Sequence, residues 1–127
     1  SEHDIPRKPY YEGRFSNGPV WPEYLAKQYN FTPNQLVDYA IGGSFTSAEQ
    51  PPGMVQQVNE HLKATQKADP SGLYTLWSGG NNYLYGEDIN DDYIQQAVND
   101  IAQAAQMLID AGAQNILIFD LLNYLFR

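Results

Sequence analysis

Apolar positions along the chain recur at two spacings, and the alternation between them outlines the fold. Leu73 to Ser78 is a short apolar run rich in strand formers that stops at Gly79-Gly80-Asn81-Asn82, which reads as a strand running into a loop. Asn115-Ile116-Leu117-Ile118-Phe119-Asp120 is a near-continuous apolar strand, of the kind expected when helices cover both faces. Leu36-Val37-Asp38-Tyr39-Ala40-Ile41 predicts a third strand, ended by Gly42-Gly43-Ser44. Helical spacing fills the intervals. Val20, Trp21, Tyr24 and Leu25 predict a helix with proline in its first turn and one face on a core. Val55, Val58 and Leu62 predict another, after the break at Gln50-Pro51-Pro52-Gly53. Asn90 caps a third, with Asp91 and Asp92 at the positive end of its dipole. Its buried stripe is Ile94, Ala97, Val98, Ile101, Ala105, Leu108 and Ile109, and Gly112 ends it in the left-handed conformation. Helix and strand alternate three times with short links and no internal repeat. That order predicts an α/β domain, with a parallel sheet in a three-layer arrangement.

Composition narrows the function more than the fold. The chain has 127 residues, enough for one domain with a modest core. Hydrophobic residues make up 43% and charged residues 17%, a globular balance. A formal net charge of -8 argues against nucleic acid and against docking on an anionic membrane, since both need clustered Lys and Arg. With 0 cysteines, disulfides, Cys-ligated zinc and thiol catalysis are excluded. No apolar run reaches membrane-spanning length and no leader pattern is present, which leaves localisation open.

Four features invite a chemical reading. In an open α/β sheet, ligands sit just beyond the carboxyl ends of the strands, where the Gly79-Gly80-Asn81-Asn82 loop falls. Its two asparagine amides offer neutral donors to a negatively charged oxygen. Arg14 is either an anion contact or, more simply, the tie of its own loop. His61, beside Glu60 and Lys63 on a helix, reads as a solvated surface residue with no acidic partner for catalysis. The acidic run Glu87 to Asp92 is not a calcium loop: counted from Asp88, Tyr93 replaces the required glycine and Asn99 the bidentate glutamate. Gly42-Gly43 lacks the third glycine of a dinucleotide fingerprint, so a nucleotide binder is poorly supported.

Separated motifs then agree on one family. Glu12-Gly13-Arg14-Phe15-Ser16-Asn17-Gly18-Pro19-Val20-Trp21, with Glu23-Tyr24-Leu25-Ala26, resembles a segment downstream of the nucleophile in GDSL lipases/esterases, members of the SGNH hydrolases. Asp38 to Ser44 resembles their second block, and Trp77 to Tyr83 their third, Gly-x-Asn-Asp. The resemblance covers nearly the whole chain up to about Asp120. It implies a flavodoxin-like parallel sheet of strand order 2-1-3-4-5 and hydrolysis of carboxylic esters of lipids, small acyl groups or acetylated sugars, with no cofactor. A serine attacks the carbonyl, a histidine of an Asp-x-x-His motif takes its proton, and the oxyanion is held by three donors. The match assigns Asn81 to the asparagine donor and Gly43, or its neighbour Gly42, to the glycine donor. Losing one such donor typically costs roughly 100- to 1000-fold in rate.

The departures from the family pattern shape the expectation as much as the matches. Gly-Asp-Ser-Leu is absent, and Ser1 stands too close to Gly13 to occupy its place. Asp-x-x-His is absent too: Val58 stands three before His61, and His3 has no residue three before it. Position 82 is Asn where the family usually has Asp. The expectation is therefore a partial SGNH domain, its first strand and C-terminal part missing, with unpaired strand edges that invite self-association. By itself such a chain lacks nucleophile and base. The alternative is a non-catalytic remnant that binds an acyl or sugar ligand, or packs with a partner.

Overall fold

The computed structural model describes residues 6–121, which fall into two compact units, one ending at Gly42 and the other beginning at Gly43. The first unit holds helix α1 (Trp21–Gln28) and a single 3-10 turn at Pro33–Gln35. Pro22 stands in the first turn of α1, as predicted. Val20 has no side-chain oxygen to cap the helix; instead Glu23 reaches back to accept from the Val20 N–H at 2.8 Å. The same carboxylate takes two bonds from Arg14, Nε to Oε2 at 2.7 Å and Nη2 to Oε1 at 2.6 Å. Arg14 also donates from Nη1 to the Glu12 carbonyl at 2.7 Å and stacks over the Tyr11 ring. Arg14 thus ties its loop to the helix start, the simpler of its two readings.

Two expectations fail in this unit. No residue of α1 is buried: Trp21 and Tyr24 stay 41% and 58% exposed. Among the described residues its unit holds no second α-helix and no strand for this eight-residue helix to pack on. Leu36–Ile41 is not a strand, and Val37 is 62% exposed. Here the Asp38 carboxylate accepts from the Ala40 N–H at 2.9 Å, a local bond that competes with a ladder, and no neighbouring strand offers one among the described residues.

The second unit holds α2 (Met54–Thr65), β1 (Leu73–Leu76), α3 (Gly80–Tyr85), α4 (Asp91–Asp110) and β2 (Asn115–Ile118). The strands β1 and β2 pair in parallel, Leu73 opposite Asn115 through Leu76 opposite Ile118. Both strands are shorter than predicted, and β2 is not covered on both faces, with Leu117 and Ile118 exposed. A two-stranded sheet has too little width for helices to sandwich it. The core forms instead where α2 meets α4 and β1: Met54, Val55, Val58, Leu76, Ala104 and Leu108. Alanines on the buried side of α4 let the helices approach closely, Ala104 reaching 0% exposure.

The ends of α4 follow the sequence. Asn90 Oδ1 accepts from the Tyr93 N–H at 3.0 Å. Gly112, at φ +109, turns the chain out so that its N–H meets the Ile109 carbonyl and the Ala113 N–H meets that of Leu108. Those two bonds are a Schellman closure. The predicted stripe holds at Ala97, Ala105 and Leu108 but not at Val98 or Ile109, which are about half exposed. Asp100 takes a buried place on the stripe instead.

Candidate functional site

The site is built where β1 ends. Gly79, buried and at φ +110, reverses the chain in one residue, a conformation that only glycine adopts freely. Because that single residue makes the turn, Gly80 is already helical, and the predicted loop at Asn81 and Asn82 is the first turn of α3. The two neighbours face different surroundings. Asn81 is half-buried and donates from Nδ2 to the Ser44 carbonyl at 2.9 Å. Asn82 is 5% exposed and grips Thr46 twice: Oδ1 accepts from the Thr46 N–H at 3.0 Å, and Nδ2 donates to Thr46 Oγ1 at 2.9 Å. With both ends of its amide used, Asn82 fixes the loop at a position where the resembling motif usually has Asp.

Thr46 is fully buried, so each of its polar groups needs a partner. Its hydroxyl donates to Asp100 Oδ2 at 2.8 Å, and its carbonyl accepts from the Val55 N–H at 3.1 Å. The Phe45 carbonyl takes the Met54 N–H at 3.1 Å, so two loop carbonyls satisfy N–H groups of the first turn of α2, whose cap Gly53 has no side chain. Gln96 Nε2 donates to Asp100 Oδ1 at 2.9 Å. One residue thereby links α2, α3 and α4.

The two predicted donors belong to one unit and to segments that touch. Gly43 precedes Ser44, which accepts from Asn81, so the second and third blocks are joined by a direct bond across 37 positions. Gly43 is exposed at φ +83, and a Cβ there would meet nothing within 4 Å. Glycine is required at 43 by conformation, not by crowding. Gly42 belongs to the other unit, where a Cβ would collide with the Phe15 ring. A cavity of about 400 Å³ is lined by Asn82, Gln96 and Asp100 with Phe45, Tyr85 and Tyr93, but by neither predicted donor. The buried network therefore backs the loop, and its cavity reaches neither Gly43 nor Asn81.

The sequence reading missed Thr46 and Asp100. Their signal was a charge on an apolar stripe: Asp100 stands three after Ala97 and four before Ala104, both buried. His61 is half-buried, its ring edge-on to Tyr74 at 5.7 Å, so it is a packing residue more than a solvated one. Among the described residues, no cluster of three His, Asp or Glu side chains is placed to hold a metal, and no helix is long and apolar enough to cross a membrane.

Comparison with known proteins decides the lineage. The model of the GDSL-like Lipase/Acylhydrolase family matches residues 6–123. The chain belongs to that family. Among its GDSL-like relatives, it is 35% identical over 123 residues to a phosphatidylcholine-sterol acyltransferase of Aeromonas hydrophila, covering 89% of this chain and 36% of that protein. It is 32% identical over 119 residues to a thermolabile hemolysin of Vibrio parahaemolyticus, covering 88% of this chain and 27% of that one. The GDSL-like chain thus spans about a third of the length of these relatives.

Proposed function

We propose that this chain supplies oxyanion donors to an acyl-ester hydrolase or acyltransferase, the Gly43 N–H and the Asn81 side-chain amide. The observation that carries the reading is the 2.9 Å bond from Asn81 Nδ2 to the Ser44 carbonyl, which holds the two motif segments together. An amide nitrogen carries two N–H groups, and this bond uses one of them. The other is the donor assigned to the substrate. In ester attack, negative charge gathers on the carbonyl oxygen, and neutral donors already fixed in place stabilise it without reorganising. The substrate class is a carboxylic ester of a lipid or small acyl group. The name of the Aeromonas relative extends the acceptor from water to a sterol hydroxyl.

The nucleophile and base are not among these 127 residues in the family's motifs. The chain acts as part of a larger catalytic unit whose serine precedes it and whose Asp-x-x-His follows it. The adjacent parallel pair of β1 and β2 supports their being the third and fourth strands of the 2-1-3-4-5 order. On that order Leu36–Ile41 corresponds to the second strand's position; it forms no ladder in this structure, and the partner that the order assigns it is the first strand.

The test begins with the coding sequence upstream of Ser1, read for Gly-Asp-Ser-Leu. The longer product is then assayed on p-nitrophenyl butyrate beside the 127-residue chain, each with and without Asn81→Ala. The longer product is expected to turn over, and Asn81→Ala to lower its kcat roughly 100- to 1000-fold with little change in KM. The short chain should be silent. Activity in the short chain that Asn81→Ala abolishes would place a nucleophile among its own serines. Full activity of the longer Asn81→Ala product would remove Asn81 from the site. An upstream sequence without the block favours the non-catalytic acyl- or sugar-binding alternative.

A further inference from the structure

We infer that Asp100, which touches neither predicted donor, is a positioning residue: through the Thr46 hydroxyl it locks the Gly43–Thr46 loop onto the first turn of α3. Its importance for catalysis rests on the donor assignment above; its role in the loop rests on proton bookkeeping alone. A hydroxyl has one proton. Asn82 Nδ2 donates to Thr46 Oγ1 at 2.9 Å, so the hydroxyl proton is directed to Asp100 Oδ2 at 2.8 Å. Asn82 cannot turn its amide over, because Oδ1 receives the Thr46 N–H at 3.0 Å. Asp100 cannot be relieved by solvent, at 7% exposure. The bonds therefore run one way, from the Asn82 amide through Thr46 to the Asp100 carboxylate. Residues 82 and 100 must be one donor and one acceptor.

A matched pair of this kind can be reversed. In the double variant Asn82→Asp with Asp100→Asn, the new amide donates to Thr46 Oγ1, and the Thr46 hydroxyl and N–H both go to the new carboxylate. The amide oxygen introduced by Asp100→Asn still accepts from Gln96, as Asp100 Oδ1 now does at 2.9 Å. Every bond is kept, and those through the Thr46 hydroxyl exchange direction. Neither change alone keeps the lock at full strength. Asn82→Asp sets two carboxylates around one proton, whereas Asp100→Asn can keep the hydroxyl bond only by turning its amide oxygen to Thr46 and its nitrogen to Gln96, which exchanges a carboxylate acceptor for a weaker neutral one.

The experiment is amide hydrogen exchange by NMR at neutral pH on four forms of the 127-residue chain: the parent, Asn82→Asp, Asp100→Asn and the double variant. Asn82→Asp is expected to speed exchange at the Thr46 N–H about 10- to 100-fold and Asp100→Asn by less, about 3- to 10-fold, and both to move the Asn81 side-chain amide resonances. The double variant should return both to near the parent values. Additive damage in the double variant overturns the inference, as does unchanged exchange in Asp100→Asn. If a single variant does not fold, the double decides: folded and parent-like supports the pairing, unfolded refutes it. In the longer, active product, Asp100→Asn should lower kcat with KM held, and the double should restore it. If Asn81→Ala leaves that turnover unchanged, the donor assignment fails while the exchange result still judges Asp100. If Asn81→Ala acts as predicted but the double does not rescue, Asp100 alone is removed.

Discussion

Both units tie a loop to the start of a helix, and they do it with opposite physical chemistry. In the first unit the tie is charged and wet: Arg14 and Glu23 meet at 2.6 Å with side chains 31% and 26% exposed. In the second it is mainly neutral and dry: Thr46, Asn82 and Asp100 are buried, and the one charge among these three, on Asp100, is hydrogen-bonded on both oxygens. An exposed pair exchanges water for a partner of similar quality, so its removal changes little. A buried pair has no water to return to, so removing one member strands the other. The units should therefore answer the same kind of lesion with different magnitudes.

The largest effect belongs to Thr46→Val, which keeps the shape and removes the hydroxyl. Asn82 Nδ2 loses its acceptor and Asp100 Oδ2 its donor, at about 1–3 kcal/mol for each stranded group. Urea unfolding should show that loss as a lower midpoint at unchanged m-value. Thr46→Ser, which keeps the hydroxyl, should lose about 1 kcal/mol, the share of one buried methyl. Equal midpoints for the Val and Ser variants would mean that the hydroxyl carries nothing, and the contrast between the units would collapse.

A smaller effect separates the two glycines at the boundary. Gly43→Ala forces a Cβ into φ +83, a left-handed conformation that costs about 1–2 kcal/mol. At Gly42→Ala the nearest atoms to the new Cβ all belong to the ring of Phe15, a flexible side chain that is itself 61% exposed. Gly43→Ala should be the more destabilising of the two in thermal melts. The reverse order would show that Phe15 is held more firmly than its exposure implies.

What the sequence made legible follows the range of the forces involved. Caps and closures are local, and Asn90, Pro22 and Gly112 were readable from their neighbours. The register of β1 against β2 was not, and neither was their small width, because a strand exists only with a partner that sequence spacing does not name. Leu36–Ile41 shows the same limit: a run of strand formers with a local Asp38 bond and no ladder. For the proposed donors, Gly43 came only from the motif match, while Asn81 was also suggested by its amide in a loop beyond a strand end. Thr46 and Asp100 were not legible, since their link spans 54 positions and their residue types are ordinary. Only the charge on the buried stripe of α4 announced it. The loop at Asn81 was misread for a physical reason too: two glycines suggested a long turn, but the left-handed Gly79 makes it alone.

The smallest effect belongs to the first unit, and pH reads it best. The Arg14 guanidinium, hydrogen-bonded to Glu23, holds that carboxyl below the usual glutamate range, and the Val20 N–H adds to the shift. A group depressed in the folded state gives stability that is full above its unfolded value and lost as pH falls through the folded one. The window is therefore acidic. Arg14, raised by the same bond, stays charged throughout it and adds no slope. In an NMR titration the Glu23 carboxyl carbon and the Val20 N–H should move together, because the Val20 bond to Oε2 at 2.8 Å weakens when the carboxyl takes a proton. Arg14→Met should raise that common midpoint toward the ordinary value, since it removes the larger cause and leaves Val20. Salt should raise it in the parent as well, because the pair is partly exposed and screened. The second unit's Thr46 N–H should not respond to salt, since its partner is a buried neutral amide. A salt response at Thr46 equal to that at Val20 would erase the distinction between a wet tie and a dry one.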